Sequence, residues 1–206
     1  MRSLPTQPRH SVLAIALGSA LMVLLSPVGL RAATITANGE LAGQCSIGDA
    51  IRAANSNSTV GNCSYLGSPS SSDRVLLTYD PVLSQELVIT SNLELSSSSA
   101  TQTISGNGVT RILRIGDNAS SPTVLISSLH LQSGNATGAD GGNGAGAGAG
   151  LGGALFIYSG DVTIDGVEFT SNQARGGDGL PISASVNNGG GGGGGMGGGG
   201  GASGGW

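Results

Sequence analysis

Residues that could do chemistry are few in this chain, and they fall late. Asp161, Asp165 and Glu168 share one short stretch, "DVTIDGVEF", with Asp140 and Asp178 in glycine-rich segments on either side and Arg175 as the nearest base. Carboxylates beside an arginine are what a polysaccharide lyase or a glycosidase needs, to hold calcium or to move protons at a glycosidic bond. Asp165 and Glu168 stand three apart across a bend expected at Gly166. Their counterparts one repeat earlier, Ser127 and His130, carry no carboxylate. The acids therefore read as solvated strand residues, and no catalytic residue is assigned.

Other chemistries are weaker still. "GGDGLPISA" shares its glycines with calcium-binding nonapeptide repeats, but no Asp follows in register and the unit does not recur. "GAGAGAG" lacks the lysine of a phosphate-binding loop and no strand–loop–helix frame surrounds it. His130 is a lone histidine in a strand and reads as a surface residue. No metal site and no cofactor is expected.

Cys45 and Cys63 are the two cysteines. In an exported chain they are most simply a disulfide; the metal alternative needs more ligands than His130 supplies. Export is expected from the segment Met1 to Ala32. Arg2, Arg9 and His10 precede an apolar run, "SVLAIALGSALMVLL", broken at Ser26–Pro27 and followed by small residues that allow cleavage after Ala32. An uncleaved signal anchor is the alternative. Beyond Ala32 the chain carries five arginines, no lysine and twelve carboxylates, a net charge near −7. That balance argues against nucleic acid and against anionic membrane surfaces as partners.

These residues need elements to hold them. "CSIGDAIRAANSN" (Cys45 to Asn57) is the one convincing helix. Ser46 is its cap, Asp49 is a capping-box partner, Ile47, Ala50, Ile51 and Ala54 form an apolar stripe, and Asn55 and Asn57 supply the stop. From Arg74 onward short strands follow: "RVLLTY", "ELVIT", "LEL", "TQTISG" and "RILRI". An internal repeat decides their arrangement. "VLISSLHLQSGNATG" from Val124 aligns without gaps on "VTIDGVEFTSNQARG" from Val162. With "LGGALFIYSG" between the copies, the offset is expected to be two unequal coils.

Coils of about 20 residues describe an all-β right-handed parallel β-helix, a β-solenoid with a short N-terminal capping helix. Ile126, Leu129, Leu131, Val162, Ile164, Val167 and Phe169 are its expected core. The closing "NNGGGGGGGMGGGGGASGGW" then reads as a glycine excursion cut short, and the chain as an incomplete fragment.

"CSIGDAIRAANSN" resembles the "CSLREAI-x-AANSN" segment that opens the secreted bacterial CSLREA-domain proteins, with "VGNC" (Val60 to Cys63) similar to the second-cysteine segment often seen there. Gly48 and Asp49 stand where that family has Arg and Glu. "GGAL" (Gly152 to Leu155) and "FTSN" (Phe169 to Asn172) resemble the GGA[ILV] and FxxN repeats of polymorphic outer membrane proteins. The resemblance spans roughly residues 34 to 180 and implies the right-handed parallel β-helix, exported to the cell surface, the outer membrane or the medium. It implies no known reaction. In a bacterial source the sequons at Asn57, Asn62, Asn118 and Asn135 are incidental.

The expected organisation is a signal peptide over 1–32, a cap with helix and disulfide over 33–66, coils over 67–180 and a truncated glycine-rich loop over 181–206. The expected function is an adhesin-like or structural role, without catalysis. Its partner would be an unidentified surface one, a polysaccharide or another cell, and membrane association would come only through parts downstream. A carbohydrate-active enzyme on the same scaffold is the alternative.

Overall fold

A computed structural model describes residues 32–68, 72–98, 101–141 and 146–179. All but the last residue of the expected leader, and the whole of the expected loop over 181–206, lie outside them.

The chain is all-β with one short helix. Thirteen strands are described. They begin with β1 (Thr34–Ala37), β2 (Asp73–Leu77), β3 (Leu87–Ile89), β4 (Leu93–Ser97), β5 (Gln102–Ser105) and β6 (Leu113–Ile115). There follow β7 (Thr123–Ser127), β8 (Leu129–Gln132), β9 (Asn135–Thr137), β10 (Leu155–Ile157), β11 (Asp161–Asp165), β12 (Glu168–Thr170) and β13 (Gln173–Arg175). Each is three to five residues long, and most are followed at once by Gly, Asn or Ser. Aliphatic residues at alternate positions point inward, as Val75 and Leu77 do on β2 and Leu113 and Ile115 on β6.

Every pairing between the described strands is parallel. The sheets run β1-β2-β4-β7-β11, β3-β6-β10, β5-β8-β12 and β9-β13. Successive strands therefore visit the sheets in a repeating cyclic order, and each circuit lays its strands on those of the circuit before. Thr34 pairs with Arg74, Asp73 with Leu93, Leu93 with Val124 and Val124 with Val162. The steps between partners are unequal, and of these four only the step from Asp73 to Leu93 has the length of about 20 residues expected of a coil.

The repeat offset seen in the sequence is the actual register on three sheets. Val124 meets Val162, Leu131 meets Phe169 and Ala136 meets Ala174. The corners match as well: Ser128 and Gly166 are both left-handed (φ 55° and 58°), as are Ser133 and Ser171 (53° and 52°). The offset is one circuit, however, not the two expected. β10 pairs with β6 and so forms a further side of the same circuit.

The core is one continuous cluster of aliphatic side chains running from Ile35 to Leu131 and Ala154. Ile126, Leu129 and Leu131 are fully buried, as expected. Val162 and Val167 are only partly covered, and Ile164 and Phe169 are each 44 % exposed, against expectation. The reason is positional. Ile164 and Phe169 repeat the register of buried Ile126 and Leu131, but among the described residues β11 and β12 are flanked on one side only.

The opposite end is closed by α1 (Ile47–Ser56). Ser46 caps it, its Oγ accepting from the Asp49 N–H at 3.0 Å, and left-handed Asn57 (φ 51°) ends it. Asp49 does not complete the expected box; its carboxylate pairs with Arg52 instead. Ten residues are too few for an independent helix, so packing must hold it. Ile47, Ala50, Ile51, Ala53 and Ala54 are buried against β1, β2 and β3. Asn55 clips the helix to the β3 segment, donating to Val88 O at 2.8 Å and accepting from Thr90 N at 2.9 Å. Cys45 and Cys63 form a disulfide with Cα atoms 4.8 Å apart, joining the residue before the cap to the loop after the helix. Asp73, nearly fully buried, accepts from Ala33 N at 2.8 Å and holds the start of β1 to β2.

Candidate functional site

The acids singled out from sequence take up structural places. Asp161 and Asp165 end β11 and Glu168 begins β12, all three exposed. Their register neighbours are Thr123, Ser127 and His130, with no second carboxylate beside them on the preceding strands. Asp178 receives Arg175 through Nη2 at 2.8 and 3.0 Å, and Asp140 accepts the Asp178 N–H at 2.7 Å. The glycine-segment acids thus hold one excursion to the next. His130 lies in a ladder, its Nδ1 3.4 Å from Thr103 Oγ1 and its Nε2 2.5 Å from Thr170 Oγ1. Among the described residues no group of three His, Cys, Asp or Glu side chains is placed to hold a metal ion.

Asn172, from the "FTSN" segment, also has a structural task. It accepts from Gly134 N at 2.7 Å and donates to Leu131 O at 2.8 Å, so one side chain satisfies two backbone groups of the circuit below.

Two cavities cross from circuit to circuit. The first, about 330 Å³, follows the stacked corners and is lined by Ser105, Asn107, Ser133, Asn135, Ser171 and Gln173. Its wall is neutral and polar. The second, about 390 Å³, combines charge with aromatic surface and is lined by Arg111, Thr137, Gly150, Leu151, Phe156 and Tyr158.

Parallel register builds this second cavity. On the outer face of β3-β6-β10, Val88, Arg114 and Phe156 stand in one file, while Leu87, Leu113 and Leu155 form the inward file beside it. Just before β6, Arg111 lays its guanidinium 4.9 Å from the centre of the Phe156 ring. The guanidinium is fixed at its edges. Nε lies 3.0 and 2.9 Å from Leu151 O and Gly152 O, Nη2 lies 2.7 Å from Leu151 O, and Nη1 lies 2.8 Å from Glu86. Glu86 also receives Arg114 Nε at 3.1 Å. Tyr158 meets Phe156 edge-on, centroids 6.3 Å apart at 81°, and donates its hydroxyl to Asn118.

Sequence reasoning did not find this group. "RILRI" and "LFIY" were legible as strands, but Arg111 and Phe156 lie far apart along the chain. They meet only because β10 closes the same circuit that β7 opens. Compared with protein-family models, with curated proteins and with solved structures, the chain matches none.

Proposed function

We propose that the chain is an exported right-handed parallel β-helix that acts at the cell surface, in the outer membrane context or in the medium, as an adhesin-like or structural protein without catalysis. The observation that carries this reading is the in-register stacking of successive circuits, Val124 to Ser127 lying on Val162 to Asp165. Such stacking makes a long, rigid prism whose outer faces, corners and excursions are free to vary while the aliphatic interior stays constant.

Several features support it. The cyclic order of the parallel sheets suits a solenoid, and α1 covers one end in the manner of a cap. The Cys45–Cys63 bond suits an oxidising compartment. The segments similar to CSLREA-domain and polymorphic outer membrane proteins fall at the cap, at the entry to β10 and at the β12 corner, where backbone requirements are strictest. Asp178 and Glu86 are engaged in ion pairs, and Asp140 accepts a backbone N–H. A partner would therefore be held by the prism's outer surface, and a surface polysaccharide or another cell is the partner we propose.

The test is made in the cell that produces the chain. Thiol labelling after fractionation should find Cys45 and Cys63 oxidised, and protease added outside intact cells should degrade the protein. A reduced chain confined to the cytosol would overturn the reading. The handedness is tested by a crystal structure; left-handed winding would refute it.

A further inference from the structure

We infer that the cavity between Arg111, Phe156 and Tyr158 is a binding site for a carboxylate-bearing sugar, a uronate unit of an acidic glycan. The inference names the ligand for one face of the surface proposed above, and in that sense rests on that reading; the binding step itself is a property of the folded chain.

Charge is the first argument. Arg111 and Arg114 are ion-paired to a single carboxylate, Glu86, two guanidinium groups to one partner. Asp117, further along the same face and within electrostatic reach of Arg114, is held in its own turn by the N–H groups of Ala119 and Ser120 and by the Ser120 hydroxyl, so it does not occupy Arg111. Arg111 lines a cavity of about 390 Å³, within the range of about 300–1,000 Å³ usual for small-ligand sites. A guanidinium has five N–H groups. The bonds to Leu151 O, Gly152 O and Glu86 occupy Nε and one N–H on each of the other nitrogens. One N–H remains on Nη1 and one on Nη2, donors left for an incoming anion. The side chain is 19 % exposed and held on three edges, so little freedom is lost when an anion arrives.

Shape is the second argument. Tyr158 is half exposed, with its ring direction set by the hydroxyl bond to Asn118 and the edge contact with Phe156. It offers a flat, amphipathic surface to the C–H face of a pyranose ring. Ala149 and Gly150, two small residues, also line the cavity and leave room for a ring. An acidic peptide would answer the charge but would leave the aromatic surface without a flat partner.

The test titrates the full chain with a galacturonate oligosaccharide, its methyl-esterified counterpart, a neutral glucan oligosaccharide and poly-glutamate, followed by calorimetry. The uronate should bind, with esterification and added salt each weakening it. Tyr158→Ala and Arg114→Gln should each weaken it about tenfold, and Val82→Ala, distant and exposed, should leave it unchanged. Circular dichroism checks that each variant is folded; should Arg114→Gln lose its fold, the unmodified chain's preference for free over esterified uronate still decides. No uronate binding, equal binding of the esterified sugar, preference for poly-glutamate, or indifference to Tyr158→Ala would each overturn the site. Release of unsaturated sugar products would keep the site but refute the non-catalytic reading. Binding by a chain found only in the cytosol would keep the site and refute the surface role.

Discussion

Tyr79 shows how much a single hydroxyl does here. It accepts the Ile47 N–H at 3.0 Å, one of the orphan donors of the first helical turn, and donates to Glu40. Burial first, and then the bond to Glu40, push its pKa well above the ordinary tyrosine value, against a smaller opposing effect of the Ile47 N–H. A raised folded-state pKa means that this stabilisation is complete below the unfolded value, about 10, and is lost as pH rises from there towards the folded value. Tyr79→Phe should cost about 1–2 kcal/mol in urea unfolding near neutral pH and should weaken the alkaline decline of stability. A variant as stable as the parent at both pH values would show that the helix start is held by other means. Asp117 titrates in the opposite sense. The Ser120 hydroxyl first, then the Ala119 N–H, hold its carboxyl below the usual range, so its contribution is present above the unfolded value and fades as pH falls through the folded one.

At the level of elements, equivalent positions in stacked strands should differ in cost according to what covers them. Ile126→Ala on β7 should destabilise by about 2–5 kcal/mol, whereas Ile164→Ala on β11, 44 % exposed in the same register, should cost clearly less. Equal losses, measured by chemical unfolding, would mean that β11 is as enclosed as β7. Gly153 sets a different limit. A Cβ there would lie 2.3 Å from Gln173 O, so the corner admits only glycine without main-chain movement. Gly153→Ala should cost about 1–3 kcal/mol; a neutral result by the same assay would show that the corner yields. These elements were legible to different degrees. The apolar residues of Val124 to Leu131 and Val162 to Phe169 revealed their own register, because identical burial demands leave identical patterns. The number of sides per circuit was not legible. "ALFIY" looks the same whether it starts a circuit or continues one, and only its pairing with Leu113 to Ile115 distinguishes the two. The Arg111–Phe156 contact depends on that pairing and was hidden with it.

For the whole molecule, the two ends of the stack differ. One is sealed by α1 and the Cys45–Cys63 bond. Replacing both cysteines by serine should lower stability by about 3 kcal/mol, from the loop-closure entropy of a separation of 18 residues. Unchanged urea midpoints under reducing and oxidising conditions would contradict that. At the other end, among the described residues, Ile157, Ile164 and Phe169 are exposed beside the edges of β10, β11 and β12. Exposed edges with apolar flanks favour association. Light scattering should show the isolated chain growing in mass with concentration, and Ile164→Lys with Phe169→Lys should suppress the growth. A strictly monomeric parent would refute this.

The unequal steps between stacked strands carry a practical consequence. Pairing tolerates a short run of chain between Asp73 and Leu93 and a much longer one between Val124 and Val162, with the aliphatic files still aligned. The surplus lies between β9 and β10, where Gly148 N donates to Ala139 O at 2.7 Å. Closing a longer detour costs only about 0.6 kcal/mol for each doubling of its length. That corner is accordingly a socket, where a foreign peptide could be spliced in and displayed while the paired strands keep their register.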